Sequence, residues 1–252
     1  MHDICRAIII MENNWNLSGN TSYSGGISQT SQKFLTRVFG WMFAALFITA
    51  LTAFYTSGNE SILRSLINPE GGMSLLGYAV MLSPIGFVLA IGLGFNRFSY
   101  NTLMILFLAY SVIMGVSMSF ILLIYTAASV FKTFLVASFM FGLMAVVGAT
   151  TKTDLTRFGS LMMMGLFGII IASLINMFMK SDTMDYIISF IGVAVFTGLT
   201  AYDVQKLKNI GSSVTHGTES AMKLSLLGAL TLYMDFINLF LYLLRFFGDR
   251  RN

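Results

Sequence analysis

Seven long apolar stretches alternate with short polar ones along the chain, at about residues 34–57, 73–95, 101–125, 129–149, 158–179, 184–205 and 222–247. Each approaches or exceeds the ~20 residues that a helix needs to cross a hydrocarbon core ~30 Å thick. The pattern predicts an all-α integral membrane protein with seven transmembrane helices. The connections are short apart from 58–72 and 206–221, which leaves no room for a soluble domain. Residues 1–33 are polar and rich in Ser, Asn and Gly, and their one apolar patch, Ile8–Ile10, is too short for a signal-peptide core. They read as a disordered tail, with 34–252 as the membrane domain. Met11 opens a more ordinary polar leader and is a second candidate start.

Composition agrees with the pattern. Charged residues make up 10% of the chain and hydrophobic ones 56%, whereas soluble domains average about 25% charged. Small residues let helices approach closely in lipid, and 23 glycines are available for that. The two prolines are Pro69, in a loop, and Pro84, within a span, so most helices should run unbroken. The formal charge of +4 is scattered over loops and helix ends. That suits topology signals and anionic lipid headgroups rather than nucleic acid. The single cysteine, Cys5, can form no internal disulfide, and no cysteine-based metal site or cofactor is expected.

With seven spans, Lys and Arg divide nine to six in favour of the amino-terminal side, where Arg37, Arg97, Lys152, Arg157, Lys206 and Lys208 fall. The positive-inside rule then puts the N-terminus in the cytoplasm. Arg245, Arg250 and Arg251, after the last span, pull the other way. A re-entrant last segment, with both ends inside, is the alternative topology.

The candidate chemistry lies in the last two spans. Asp235 lies inside the seventh apolar run and Asp203 closes the sixth. A carboxylate at the bilayer centre costs about 2.5–3.5 kcal/mol, so its retention points to a use. Thr231, Asp235, Asn238, Tyr242 and Arg245 are spaced 4, 3, 4 and 3, which makes one continuous polar stripe on a helix. Such a stripe cannot face lipid, so the last helix should sit centrally. The plainer reading of the stripe is a hydrogen-bonded seam between helices. In the sixth span Thr197, Thr200 and Asp203 fall near one face. The plainer reading of Asp203 is a helix-end carboxylate within reach of Lys206 or Lys208. Arg97 ends the second span at the same membrane level. It is either a snorkelling topology residue or half of an ion pair closing a cytoplasmic mouth.

Enzyme signatures are missing. The histidines are His2 and His216, in the tail and a loop, and no H-E-x-x-H occurs. Intramembrane aspartyl proteases carry a G-x-G-D type element, whereas the contexts here are Ala-Tyr-Asp-Val and Tyr-Met-Asp-Phe. The chain is therefore not expected to be an enzyme.

The same residues carry a family resemblance. Tyr110–Thr126, Thr150–Phe178, Phe196–Lys208 and Leu230–Phe247 resemble the Bax inhibitor-1 family, in its bacterial inner-membrane branch. The most specific elements are A-Y-D-x-Q at 201–205 and L-Y-M-D-F-I-N-L-F at 232–240. The resemblance covers nearly everything after residue 33. It implies seven helices with the last surrounded by the other six, and a pH-sensitive calcium leak gated by an aspartate pair. By motif that pair is Asp203 and Asp235, with Arg97 as the arginine that pairs with the first.

Two functional readings stand. In the first, Asp203 and Asp235 share a proton when closed and, once deprotonated, form an anionic site that transiently takes calcium. Thr200, Thr231, Asn238 and Tyr242 would line its cavity, and its partners would be calcium ions, protons and the bilayer. In the second, the chain binds and regulates other membrane proteins, such as a quality-control protease, and the aspartates are structural.

Overall fold

A computed structural model describes residues 29–67, 72–215 and 217–249. Most of the polar tail, with Cys5 and His2, lies outside them, as do Pro69, His216, Arg250 and Arg251. The described regular structure is helical, apart from an isolated antiparallel bridge between Ile67 and Met73. The helices are α1 (Gln29–Ser57), α2 (Glu60–Leu66), α3 (Leu75–Gly94), α4 (Tyr100–Ile124), α5 (Ala127–Thr150), α6 (Thr156–Met179), α7 (Asp182–Ser213) and α8 (Glu219–Phe247). All but α2 are long and apolar enough to cross a membrane.

The boundaries differ from the sequence reading in three places. Residues 29–33, counted as tail, already belong to α1. The 58–72 connection contains α2, capped by the Asn59 side chain on the Ser61 and Ile62 amides. The 206–221 connection is mostly helix, because α7 runs to Ser213. At 1.5 Å per residue α7 is about 48 Å long, so its last turns project beyond a ~30 Å core. The last segment, α8, is one unbroken helix of 29 residues, about 44 Å long, and not a re-entrant pair.

The chain divides into two compact units. Among the described residues the first holds 37–124 and 215–227, and the second holds 29–36, 125–214 and 228–249. In the first, Gly115 of α4 lies so close to α1 that a Cβ would come within 2.7 Å of the Thr49 carbonyl oxygen. The Thr49 hydroxyl in turn donates to the Ser111 carbonyl at 3.0 Å. Pro84 removes the amide that would pair with the Val80 carbonyl. That carbonyl instead accepts from the hydroxyls of Ser83 (2.8 Å) and of Ser117 on α4 (2.9 Å), so α3 carries a proline without an orphaned backbone group.

In the second unit α8 lies between α5 and α7. Phe236 meets Phe134 and Phe141 of α5 edge-on, with ring centroids 5.5 and 5.6 Å apart. On its other side Tyr242 stacks on Phe196 of α7. The end of α8 is fastened to the start of α5, where the Thr126 amide donates to the Asp249 carbonyl and the Asp249 amide to the Ser129 hydroxyl. The apolar stretch of α8 is 72% buried, against 56% for α7 and 33% or less for the other five spans. The last helix is thus the most enclosed of the seven.

Candidate functional site

Asp235 lies within the apolar run of α8 and is 5% exposed. Its carboxyl group is within hydrogen-bonding reach of Asp203 on α7. Its Oδ2 is buried and has no hydrogen-bond partner among the described residues. Two carboxyl groups hydrogen-bond to one another only when at least one holds a proton.

Backbone packing sets the position of Asp203. Gly148 of α5 faces Ala201 so closely that a Cβ would overlap the Ala201 carbonyl. Gly159 of α6 likewise accommodates the ring of Tyr202. These two glycines fix the height and rotation of α7 where its carboxylate emerges.

Three of the other polar residues on the two helices are satisfied locally. The Thr200 hydroxyl, fully buried, donates to the Phe196 carbonyl at 2.8 Å, and the Thr197 hydroxyl to the Val193 carbonyl at 2.6 Å. The Asn238 amide donates to the Met234 carbonyl at 2.8 Å. Such back-bonding to the preceding turn satisfies a donor without a partner helix. The ring of Tyr242 sits on Gly192 of α7, and Thr231 is half-buried.

Two expectations need correction. Arg245, counted with an inward stripe, is exposed and pairs with Asp185 of α7 at 3.2 Å. It lies at the end of its helix, where a long cationic side chain reaches the interface. Lys208, offered as a partner for Asp203, instead donates through Nζ to the Ala149 carbonyl at the end of α5, at 2.9 Å. A lysine there satisfies one of the unpaired last-turn carbonyls and complements the helix dipole. Lys206 lies over the Tyr202 ring, 5.6 Å from its centroid. Arg97 is exposed in the turn after α3 and belongs to the first unit, whereas both aspartates belong to the second.

Sequence reasoning passed over Gln205, whose buried side chain bonds Leu155 and Thr153, and Asp185. An amide inside the lysine-rich Val204–Lys208 stretch was the available signal for the first. For the second it was an acidic residue in the first turn of α7, at the membrane end where Arg245 emerges. Among the described residues no three His, Cys, Asp or Glu side chains cluster as a metal site.

Comparison with known proteins adds a lineage. The family model described as "Inhibitor of apoptosis-promoting Bax1" matches residues 31–252. The inner membrane protein YbhL of Escherichia coli K12 is 42% identical over 221 residues, covering 87% of this chain and 93% of the relative. A Borreliella burgdorferi protein is 47% identical over 220 residues, with 87% and 93% covered. The Rickettsia prowazekii protein RP147 is 40% identical over 235 residues, with 93% and 95% covered.

Proposed function

Since the chain belongs to the Bax inhibitor-1 family of membrane proteins, we propose that it is a proton-gated leak pathway for cations, with calcium as cargo and Asp203 and Asp235 as the gate. The observation that carries this reading is the contact between two carboxyl groups at membrane depth, one of them with an orphaned buried oxygen. While a proton is shared, the pair is a closed hydrogen bond. When the proton leaves, two anions about 4 Å apart repel by ~4 kcal/mol at an effective dielectric of about 20. They then separate or accept a cation between them. Hard oxygen ligands favour calcium over softer metals. The chain performs no covalent chemistry in this reading and needs no cofactor.

The inner-membrane relative in Escherichia coli and the seven spans support placement in a bacterial inner membrane. The Lys and Arg distribution supports a cytoplasmic N-terminus. In that orientation the Asp203 end of α7 lies toward the cytoplasm and the Arg245–Asp185 pair on the opposite side.

One observation favours the second reading, an interaction protein that regulates other membrane proteins. Thr200 and Asn238 bond to their own helices, as they would in a seam with no transport role. Calcium flux into proteoliposomes between about pH 6 and 8 separates the two. A leak that rises with pH supports the gate, and a protein that is folded but silent across the range supports the interaction reading. The same assay tests Arg97, the latch partner implied by the family. Folded Arg97→Ala is expected to leak several-fold more than wild type near pH 6. An unchanged profile, with thermal stability retained, returns Arg97 to a topology role.

A further inference from the structure

The helix segment that carries Asp203 is gripped from behind. At 100° per residue, Ala201, Val204, Gln205 and Lys208 share one face of α7, and Asp203 lies roughly 150° from the middle of that face. All four of these residues are buried. Ala201 abuts Gly148. The Gln205 side chain uses both ends of its amide: Oε1 accepts from the Leu155 amide and Nε2 donates to the Thr153 carbonyl, each at 2.8 Å. Lys208 Nζ holds the Ala149 carbonyl at 2.9 Å and reaches that of Thr151 at 3.5 Å.

The tether is an exchange of backbone groups. Leu155 stands at the N-cap of α6 and makes no side-chain cap, so Gln205 supplies from α7 the acceptor that its amide needs. The last carbonyls of α5, next to the turn, are met by Lys208. The C-terminal end of α5, the N-terminal end of α6 and the turn between them are thus all tied to the back of the segment whose front presents Asp203 to Asp235. A buried amide that satisfies two backbone groups permits one register.

We propose that Gln205, assisted by Lys208, is a positioning residue for the Asp203–Asp235 pair, holding α7 as a fixed post against which Asp235 meets Asp203. The proposal rests on the reading of that pair as the gate. Asp235 faces Asp203 from α8. On α7, Lys206 lies over Tyr202 and Lys208 is committed to α5. On the α5–α6 turn the Asp154 carboxylate accepts from Thr156, and Lys152 and Arg157 are exposed.

The test uses the full chain in lipid, with Gln205→Met and Lys208→Met each removing one tie at similar side-chain length. An infrared titration of the protonated-carboxyl band, identified by its loss in Asp235→Asn, reads the pair whether or not the protein leaks. Calcium flux against pH reads the gate. Gln205→Met is expected to displace both midpoints by about one pH unit, the worth of one net hydrogen bond, and Lys208→Met to displace them less. A folded Gln205→Met whose band titrates as in wild type overturns the proposal. If Gln205→Met does not fold, Lys208→Met decides by the same criterion. Absence of any band sensitive to Asp235→Asn overturns the pair and the proposal together. A wild-type protein that shows the band but never leaks removes the leak reading, and the shift of the band in the variants still decides the positioning role.

Discussion

Under the proposed gate, Asp235→Asn is expected to stay folded and to lose the pH dependence of the calcium leak. The side chain keeps its volume and can still hydrogen-bond Asp203, but it can neither release a proton nor become an anion. At the alkaline end of the range, where the wild type would present two carboxylates, the variant presents one. A unit charge about 4 Å from a cation is worth ~4 kcal/mol at an effective dielectric near 20. Each ~1.4 kcal/mol is a factor of ten, so flux near pH 8 should fall at least about tenfold. Stability should not fall with it. The amide keeps the shape of the acid and carries no charge into the buried site. Asp203→Asn should give the same flat profile. Under the gate reading the double variant should also be flat with pH, and its loss should differ from the sum of the two single losses because the side chains are in contact. A flat profile combined with an unchanged melting temperature separates a gate from a seam. If Asp235→Asn leaks with the wild-type profile, the pair is not the gate.

The spans were legible because the bilayer acts on length and hydropathy, which a sequence displays directly. The polar stripe of α8 was legible for a similar reason: positions 231, 235, 238 and 242 follow the helix period. The end of α7 was not. Gln205, Lys206, Lys208 and Asn209 look like an interfacial loop, yet the helix continues through them because Gln205 and Lys208 have their partners on the α5–α6 turn, more than 50 positions away in sequence. Periodicity cannot show which distant backbone groups a polar side chain will satisfy. Arg245 illustrates the reverse error. Its spacing places it in the stripe, but position along the helix decides its fate, and near the end of α8 the guanidinium reaches Asp185 at the surface. Spacing assigns a face, whereas depth in the membrane decides whether a polar group on that face is enclosed or emerges.

The close approach of α5 to α7 gives the largest expected effect on stability. Gly148→Ala should lower the melting temperature sharply, while Gly142→Ala, on the same helix, should not. At Gly142 an added Cβ meets nothing within 4 Å, so the substitution gains only the helix propensity of alanine, up to about 1 kcal/mol. At Gly148 the same methyl would overlap the carbonyl of Ala201. That neighbour is backbone inside a helix and cannot rotate away, so α5 and α7 must part. Overpacking of this kind costs about 1–3 kcal/mol where side chains can adjust and more where backbone must move. For a chain of this size each kcal/mol is about 2–4 °C, so a drop near 10 °C is expected in detergent or lipid. The consequence reaches the carboxyl pair, since Ala201 is two residues from Asp203 and the tie of Lys208 to Ala149 lies one residue from Gly148. Under the proposed gate, a Gly148→Ala protein that still folds should therefore show a displaced leak profile, whereas Gly142→Ala should keep the wild-type one. Equal melting temperatures for the two variants would mean that α5 and α7 do not approach this closely, and the fixed-post account of Asp203 would lose its foundation.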